Sequence, residues 1–145
     1  MNMTLVPIGT VRKEESEPVR LMIKPEYWEA TLRIEEFSHI HVIWWASELD
    51  TPETRAVLSD IPPTEGAKLS GVFASRSPYR PNPVLLSIVR LESVDHDKTT
   101  LVVDQIDAND GTPIVDIKPY MPSSDRVDNA RVAPWFSNLI KRYTK

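Results

Sequence analysis

Proline and glycine limit what this chain can fold into more than any other residues. Its 145 residues include thirteen prolines and only four glycines, Gly9, Gly66, Gly71 and Gly111. Scattered prolines break long helices and central strands, so many short elements joined by stiff turns are expected, which favours a β-rich domain. The glycines form no Gly-x-Gly pair, and no Gly-Lys-Ser/Thr follows any of them, so a Rossmann fingerprint and a phosphate-cradling P-loop are both excluded. The densest cluster is Gly71-Val72-Phe73-Ala74-Ser75-Arg76-Ser77-Pro78-Tyr79-Arg80-Pro81-Asn82-Pro83. Between Arg76 and Pro83 it holds three prolines and two arginines. A loop of this kind is rigid and extended, and presents guanidinium groups to a polar or anionic ligand at little ordering cost.

Around that loop, apolar and β-branched runs predict strands. They fall at Leu5–Val11, Val19–Lys24, Ile40–Ala46, Gly71–Ala74, Val84–Leu91, Thr99–Ile106 and Ile114–Ile117. Pro7 points to an edge or a bulge in the first. Alternation in the third places Ile40, Val42 and Trp44 on one side and His39, His41, Ile43 and Trp45 on the other. Val84–Leu91 is apolar at both parities and reads as a strand buried on both faces. Asp95-His96-Asp97-Lys98 predicts a hairpin turn. Helical turns are expected from Pro25 and Pro52, and an amphipathic helix from Pro134, on the spacing of Trp135, Phe136, Leu139, Ile140 and Tyr143. The expected fold is mainly β, a six-stranded antiparallel β-barrel with a few short helices, in one domain over residues 1–145.

The chain lacks cysteine, so disulfides and thiolate chemistry are excluded. No run approaches the length of a membrane helix and nothing at the start reads as a signal peptide, so a cytoplasmic protein away from membranes is expected. The net charge of −4 argues against nucleic acid, but the charges segregate. Gly66–Leu91 and Asn129–Lys145 contain no acid, whereas Glu92–Asp128 carries nine acids and three basic residues. A shared face for the two acid-free stretches would be locally positive.

Three constellations carry candidate chemistry. In the arginine–proline loop, Arg76 and Arg80 suit a carboxylate, a phosphate or an adenine face, and Asn82 adds a donor and an acceptor. The stretch from Asp107 to Tyr120 surrounds an Asp110-Gly111 turn with carboxylates; it suits a cation or ribose hydroxyls, or serves only as Asx-turn chemistry. His39 and His41 share a strand face, but no third ligand is evident, so they read as core or interface histidines and no metal site is expected. Ser75, Ser77 and Ser87 lack the glycine elbow of a hydrolase nucleophile.

Gly71 to Pro83, followed by Leu86-Ser87 and Val89-Arg90-Leu91, resembles the signature of the TsaA-like (TrmO, YaeB) family. So do Asp107 with Asp110-Gly111-Thr112-Pro113, Asp116-Ile117-Lys118-Pro119-Tyr120, Pro7-Ile8-Gly9 and Phe37-Ser38-His39. The chain departs from that pattern at Val84-Leu85, where the family has Ile-Gly, and at Ser47, where many members have histidine. Ile61–Lys68 replaces an arginine-rich loop.

The resemblance implies a six-stranded barrel, a homodimer and S-adenosylmethionine as cofactor. It implies methylation of the exocyclic nitrogen of threonylcarbamoyladenosine beside the anticodon of tRNA, which makes tRNA a partner. A different small acceptor and a non-catalytic adenosyl-binding domain are the alternatives. Cofactor binding is expected at Phe73, Ala74, Arg76, Leu86, Ser87, Asp107, Ala108, Asn109 and Asp110. Arg80, Asn82, Lys118 and Tyr120 are expected substrate contacts. The general base is not assigned; Asp110 and a histidine are the candidates.

Overall fold

The structure is a computed structural model that describes residues 1–141 and 144. The chain divides into two compact units. The larger comprises residues 1–47, 84–120 and 143–145, and the smaller residues 48–83 and 121–142. Arg142, Tyr143 and Lys145, which carry part of the expected basic stretch and helix, lie outside the described residues.

Six strands build the larger unit: β1 (Gly9–Arg12), β2 (Val19–Ile23), β3 (His39–Trp45), β6 (Val84–Asp95), β7 (Thr100–Val103) and β8 (Pro113–Pro119). In order β1-β2-β7-β6-β3-β8 they form one antiparallel sheet, and β8 pairs with β1, so the strand order closes on itself. Bulges interrupt the ladders at Ile43/Trp44 and Leu91/Ser93. The inward parity of each strand makes the core: Val11, Leu21, Ile40, Val42, Val89, Leu101 and Ile114 are fully buried or nearly so. Trp28 and Trp44 pack against that core, and the Trp28 ring meets His96 edge-on at 5.6 Å.

The expected strands shift in instructive ways. β1 begins at Gly9 rather than Leu5, although the Ile8 amide still donates to the Ile114 carbonyl at 2.8 Å. Pro7 has no amide proton to continue that ladder. β7 runs only from Thr100 to Val103: Thr99 takes a left-handed backbone (φ 46°) to close the hairpin at one end, and the chain bends at Asp104 at the other. Asp95 accepts the amides of Asp97 and Lys98 within that turn, as its composition led us to expect. β6 is longer than expected and is buried on one face only: Leu86 and Ile88 point outward, 43% and 40% exposed. Their apolar character had suggested burial on both sides, but alternation turns Ser87 and Val89 to the core instead.

Short 3-10 turns occupy Pro25–Thr31 and Ile34–Glu36. In the smaller unit, α1 (Pro52–Arg55) opens on a capping box between Thr51 and Thr54. β4 (Ser59–Asp60) pairs with β5 (Ser70–Gly71). The expected strand over Gly71–Ala74 therefore ends at Gly71, and Val72–Ala74 is a 3-10 turn. A second short helix, α2, covers Pro122–Asp125. Among the described residues the expected C-terminal helix is not formed: a 3-10 turn over Pro134–Phe136 is followed by irregular chain. Leu139 and Ile140 are exposed, so the apolar stripe read from the spacing finds too little to bury it, and a short isolated helix is marginal in water.

At Gly9 an added Cβ would lie 2.4 Å from the Met22 carbonyl oxygen and 3.2 Å from Ile23. Gly9→Ala is expected to cost about 1–3 kcal/mol, since backbone must move to relieve the clash. Denaturant unfolding checks this, with the alanine variant showing a lower midpoint and an unchanged slope.

Candidate functional site

Each unit contributes its own set of the expected site residues. In the smaller unit the arginine–proline loop is braced by short polar contacts. Arg80 Nη1 donates to the Ser75 and Ser77 carbonyls at 3.1 and 2.8 Å. The Ser77 and Tyr79 amides donate to the Ser75 and Ser77 hydroxyls at 3.3 and 3.1 Å. Arg55 donates to Asn82 Oδ1 at 3.0 Å through one terminal nitrogen and pairs with Asp50 at 3.0 Å through the other. The two arginines of the loop therefore differ in kind. Arg80 holds the loop's own backbone, whereas Arg76 is exposed and no residue among those described pairs with it.

Phe73 is 84% exposed, on a turn anchored by buried Val72, whose amide donates to the Leu58 carbonyl at 3.0 Å. Arg76 lines a cavity of about 840 Å3, with Ser75, Ser77 and Tyr79 from the same loop. The other walls come from Asp60–Thr64 and from Phe136, Asn138, Leu139 and Ile140. Parts of the two acid-free stretches meet at one cavity, where Arg76 is the one basic side chain among the described lining residues and Asp60 also lines it. Asp60, Thr64, Phe136 and Asn138 were missed in the sequence. Only the absence of acids near 129–141 hinted at the last two.

In the larger unit Leu86 and Ser87 sit on opposite faces of β6. Leu86 faces outward, while buried Ser87 accepts a hydrogen bond from Trp44 Nε1 at 3.0 Å. The loop from Asp107 to Thr112 is docked on β1. Asp110 Oδ1 accepts the Lys13 amide at 2.8 Å, Lys13 Nζ donates to the Ile106 carbonyl at 2.8 Å, and the Gly111 amide donates to the Val11 carbonyl at 2.8 Å. Gly111 takes φ 83°, a conformation that favours glycine. Ala108 is fully buried and serves as the loop's anchor, leaving Asp107 and Asn109 exposed on either side.

Lys118 and Tyr120 gather on the outward face of β3 and β8. Lys118 is opposite His41 in register and pairs with Asp116 at 2.9 Å. The Tyr120 ring lies 5.6 Å from that of His41 and 6.5 Å from that of His39. His39 Nδ1 is 2.7 Å from the Ser38 hydroxyl. The hydrogen bond and charge of Asp116 push the Lys118 ammonium above its ordinary pKa. Among the described residues no group of three metal-ligating side chains converges, and no helix is long and apolar enough to cross a membrane.

Residues 5–126 match the sequence model of the tRNA-methyltransferase O N-terminal domain. The chain belongs to that family. It is 41% identical over 120 residues to a probable S-adenosyl-L-methionine-binding protein of Archaeoglobus fulgidus, covering 83% of this chain and 31% of the relative. It is 36% identical over 125 residues to the tRNA (adenine(37)-N6)-methyltransferase of Escherichia coli, covering 84% of this chain and 52% of that enzyme. A crystal structure of TrmO from Pseudomonas aeruginosa superposes with a TM-score of 0.70 at 29% identity, over 92% of this chain and 62% of that one. The chain thus spans only part of the length of these three relatives, from about a third to about three fifths.

Two outcomes follow from the local geometry. Arg80→Ala is expected to cost about 1 kcal/mol and to speed hydrogen exchange at the Ser77 and Tyr79 amides, whereas Arg76→Ala leaves both unchanged. Asp116→Asn is expected to bring the Lys118 titration back down toward its ordinary value, followed through the Nζ resonance.

Proposed function

We propose that this chain is an S-adenosylmethionine-dependent methyltransferase whose acceptor is the exocyclic nitrogen of threonylcarbamoyladenosine beside the anticodon of tRNA. Its closed sheet is read as the barrel of the family, its working unit as a homodimer, and its compartment as the cytoplasm. The observation that carries the reading is the match over residues 5–126, which includes both long motifs, with Arg76 left open on a loop that is otherwise braced. The names of the Archaeoglobus and E. coli relatives support the cofactor and the tRNA substrate.

The residues fit the cofactor chemically. An exposed guanidinium that none of the described residues pairs with suits the methionine carboxylate, an exposed aromatic ring suits the adenine or the sulfonium, and exposed carboxylates suit ribose hydroxyls or the amino group. In this reading Phe73, Ala74, Arg76, Leu86, Ser87, Asp107, Ala108, Asn109 and Asp110 hold the cofactor. Ser87 and Ala108, both buried, act by shaping the wall rather than by direct polar contact. Arg80, Asn82, Lys118 and Tyr120 serve the substrate side; for Arg80 and Asn82 the role is to fix the loop.

When bound, the cofactor supplies an electrophilic methyl group on sulfur. The chain's task is to align the acceptor nitrogen in line with the carbon–sulfur bond, exclude water and accept the proton that the nitrogen loses. Asp110 already takes the Lys13 amide on one oxygen, so a role as base falls to its other oxygen. His39 and His41 are the alternative bases, on the face that carries Lys118 and Tyr120.

Calorimetric titration of the full chain with S-adenosylmethionine is expected to saturate, and Arg76→Ala to weaken binding by about tenfold or more, the worth of a charge-assisted hydrogen bond. Methyl incorporation is expected in tRNA that carries the threonylcarbamoyl group and not in tRNA lacking it. Cofactor binding with methyl transfer only to small extracted metabolites would replace tRNA with a smaller acceptor. This second reading is favoured by the net charge of −4.

A further inference from the structure

We propose that the cavity of about 840 Å3 in the smaller unit receives the base of the methyl acceptor, with Tyr79 and Phe136 as its ring walls. This rests on the methyl-transfer reading above. Of the nine residues assigned to the cofactor, Arg76 alone lines this cavity. The space beyond Arg76 is therefore open to a second ligand.

Its size and chemistry select that ligand. The volume suits a nucleoside and is far too small for a folded RNA, so a base must enter it extruded from its strand. Two aromatic side chains from segments far apart in sequence line it. Any base offers them a π-face, and such stacking is worth roughly 1–3 kcal/mol per base. Phe136 is not a loose ring. It meets Trp135 edge-on at 6.2 Å, and the Trp135 carbonyl accepts the Thr64 hydroxyl at 3.3 Å. Asn138 adds an amide donor and acceptor to the cavity wall for the polar groups of an inserted base. Residues 129–141 contain Arg131 and Lys141 and no acid, so the chain leading to and from this wall favours phosphates on either side of an inserted base.

The match to the family model ends at residue 126, yet Phe136, Asn138, Leu139 and Ile140 line the cavity. The acceptor wall is thus built from sequence outside the matched domain. Phe136 is a substrate-positioning residue that family membership alone does not reveal.

The test uses the full chain with S-adenosylhomocysteine present and the nucleoside N6-threonylcarbamoyladenosine as probe, titrated by calorimetry. Phe136→Ala is expected to raise the nucleoside Kd about tenfold while leaving the S-adenosylmethionine Kd within about twofold, and Phe136→Tyr to restore it. Asn138→Ala gives an independent reading and is expected to weaken the nucleoside severalfold. Equal nucleoside affinity in wild type, Phe136→Ala and Tyr79→Ala overturns the proposal. So does parallel loss of both ligands that tyrosine does not rescue, which marks a structural role. A wild-type chain that binds cofactor but not the nucleoside overturns the pocket and leaves methyl transfer standing. A wild-type chain that binds no cofactor overturns both.

Discussion

Closure of the six-stranded sheet depends on a close backbone approach at Gly9. There β1 runs so near β2 that a single carbon atom would collide with the Met22 carbonyl. The ladder on its other side is thin, with two register pairs to β8, extended by amide bonds from Ile8, Val11 and Gly111. The loop that carries Asp107, Ala108, Asn109 and Asp110 hangs from that seam. Its position is set by the Lys13 bonds to Asp110 and Ile106 and by burial of Ala108 in the core. The candidate site in the larger unit is therefore coupled to sheet closure, and a weak seam would misplace its carboxylates first.

The smaller unit solves the same problem without a sheet of comparable extent. Its one ladder is two residues long on each strand, and its order comes from prolines, serine turns and the Arg80 guanidinium. Proline lowers the entropy of the unfolded loop, and the carbonyl bonds from Arg80 fix the folded one. An arginine satisfied by backbone and an arginine facing solvent sit four residues apart.

Much of this was legible in the sequence. Strand parity separated Ile40 and Val42 from His39 and His41 but did not say which face is the core, which the fold gives to Ile40 and Val42, while the turn residues at Asp95–Lys98 and Asp110–Gly111 fell where the chain reverses. The misreadings share a physical origin. Leu86 and Ile88 look buried because hydropathy cannot say which face of a strand meets a neighbour. Residues 134–141 look helical because spacing records which residues would align, not whether anything exists for them to bury against. The two arginines of the loop are indistinguishable as letters, and only the carbonyls of Ser75 and Ser77 separate them. The cavity walls at Asp60 and Phe136 come from segments with no motif, so only folding could bring them to Arg76.

The closed strand order also bears on solubility. A sheet whose strand order returns to its start has no strand left wholly unpaired along one side, so the six strands of the larger unit are poorer templates for cross-strand aggregation than those of an open sheet. The β4–β5 ladder does have open edges, but each is two residues long, and Pro62 and Pro63 follow β4 closely enough to stop its growth. The chain can therefore leave its apolar loop residues in water without pairing through its backbone with other copies of itself.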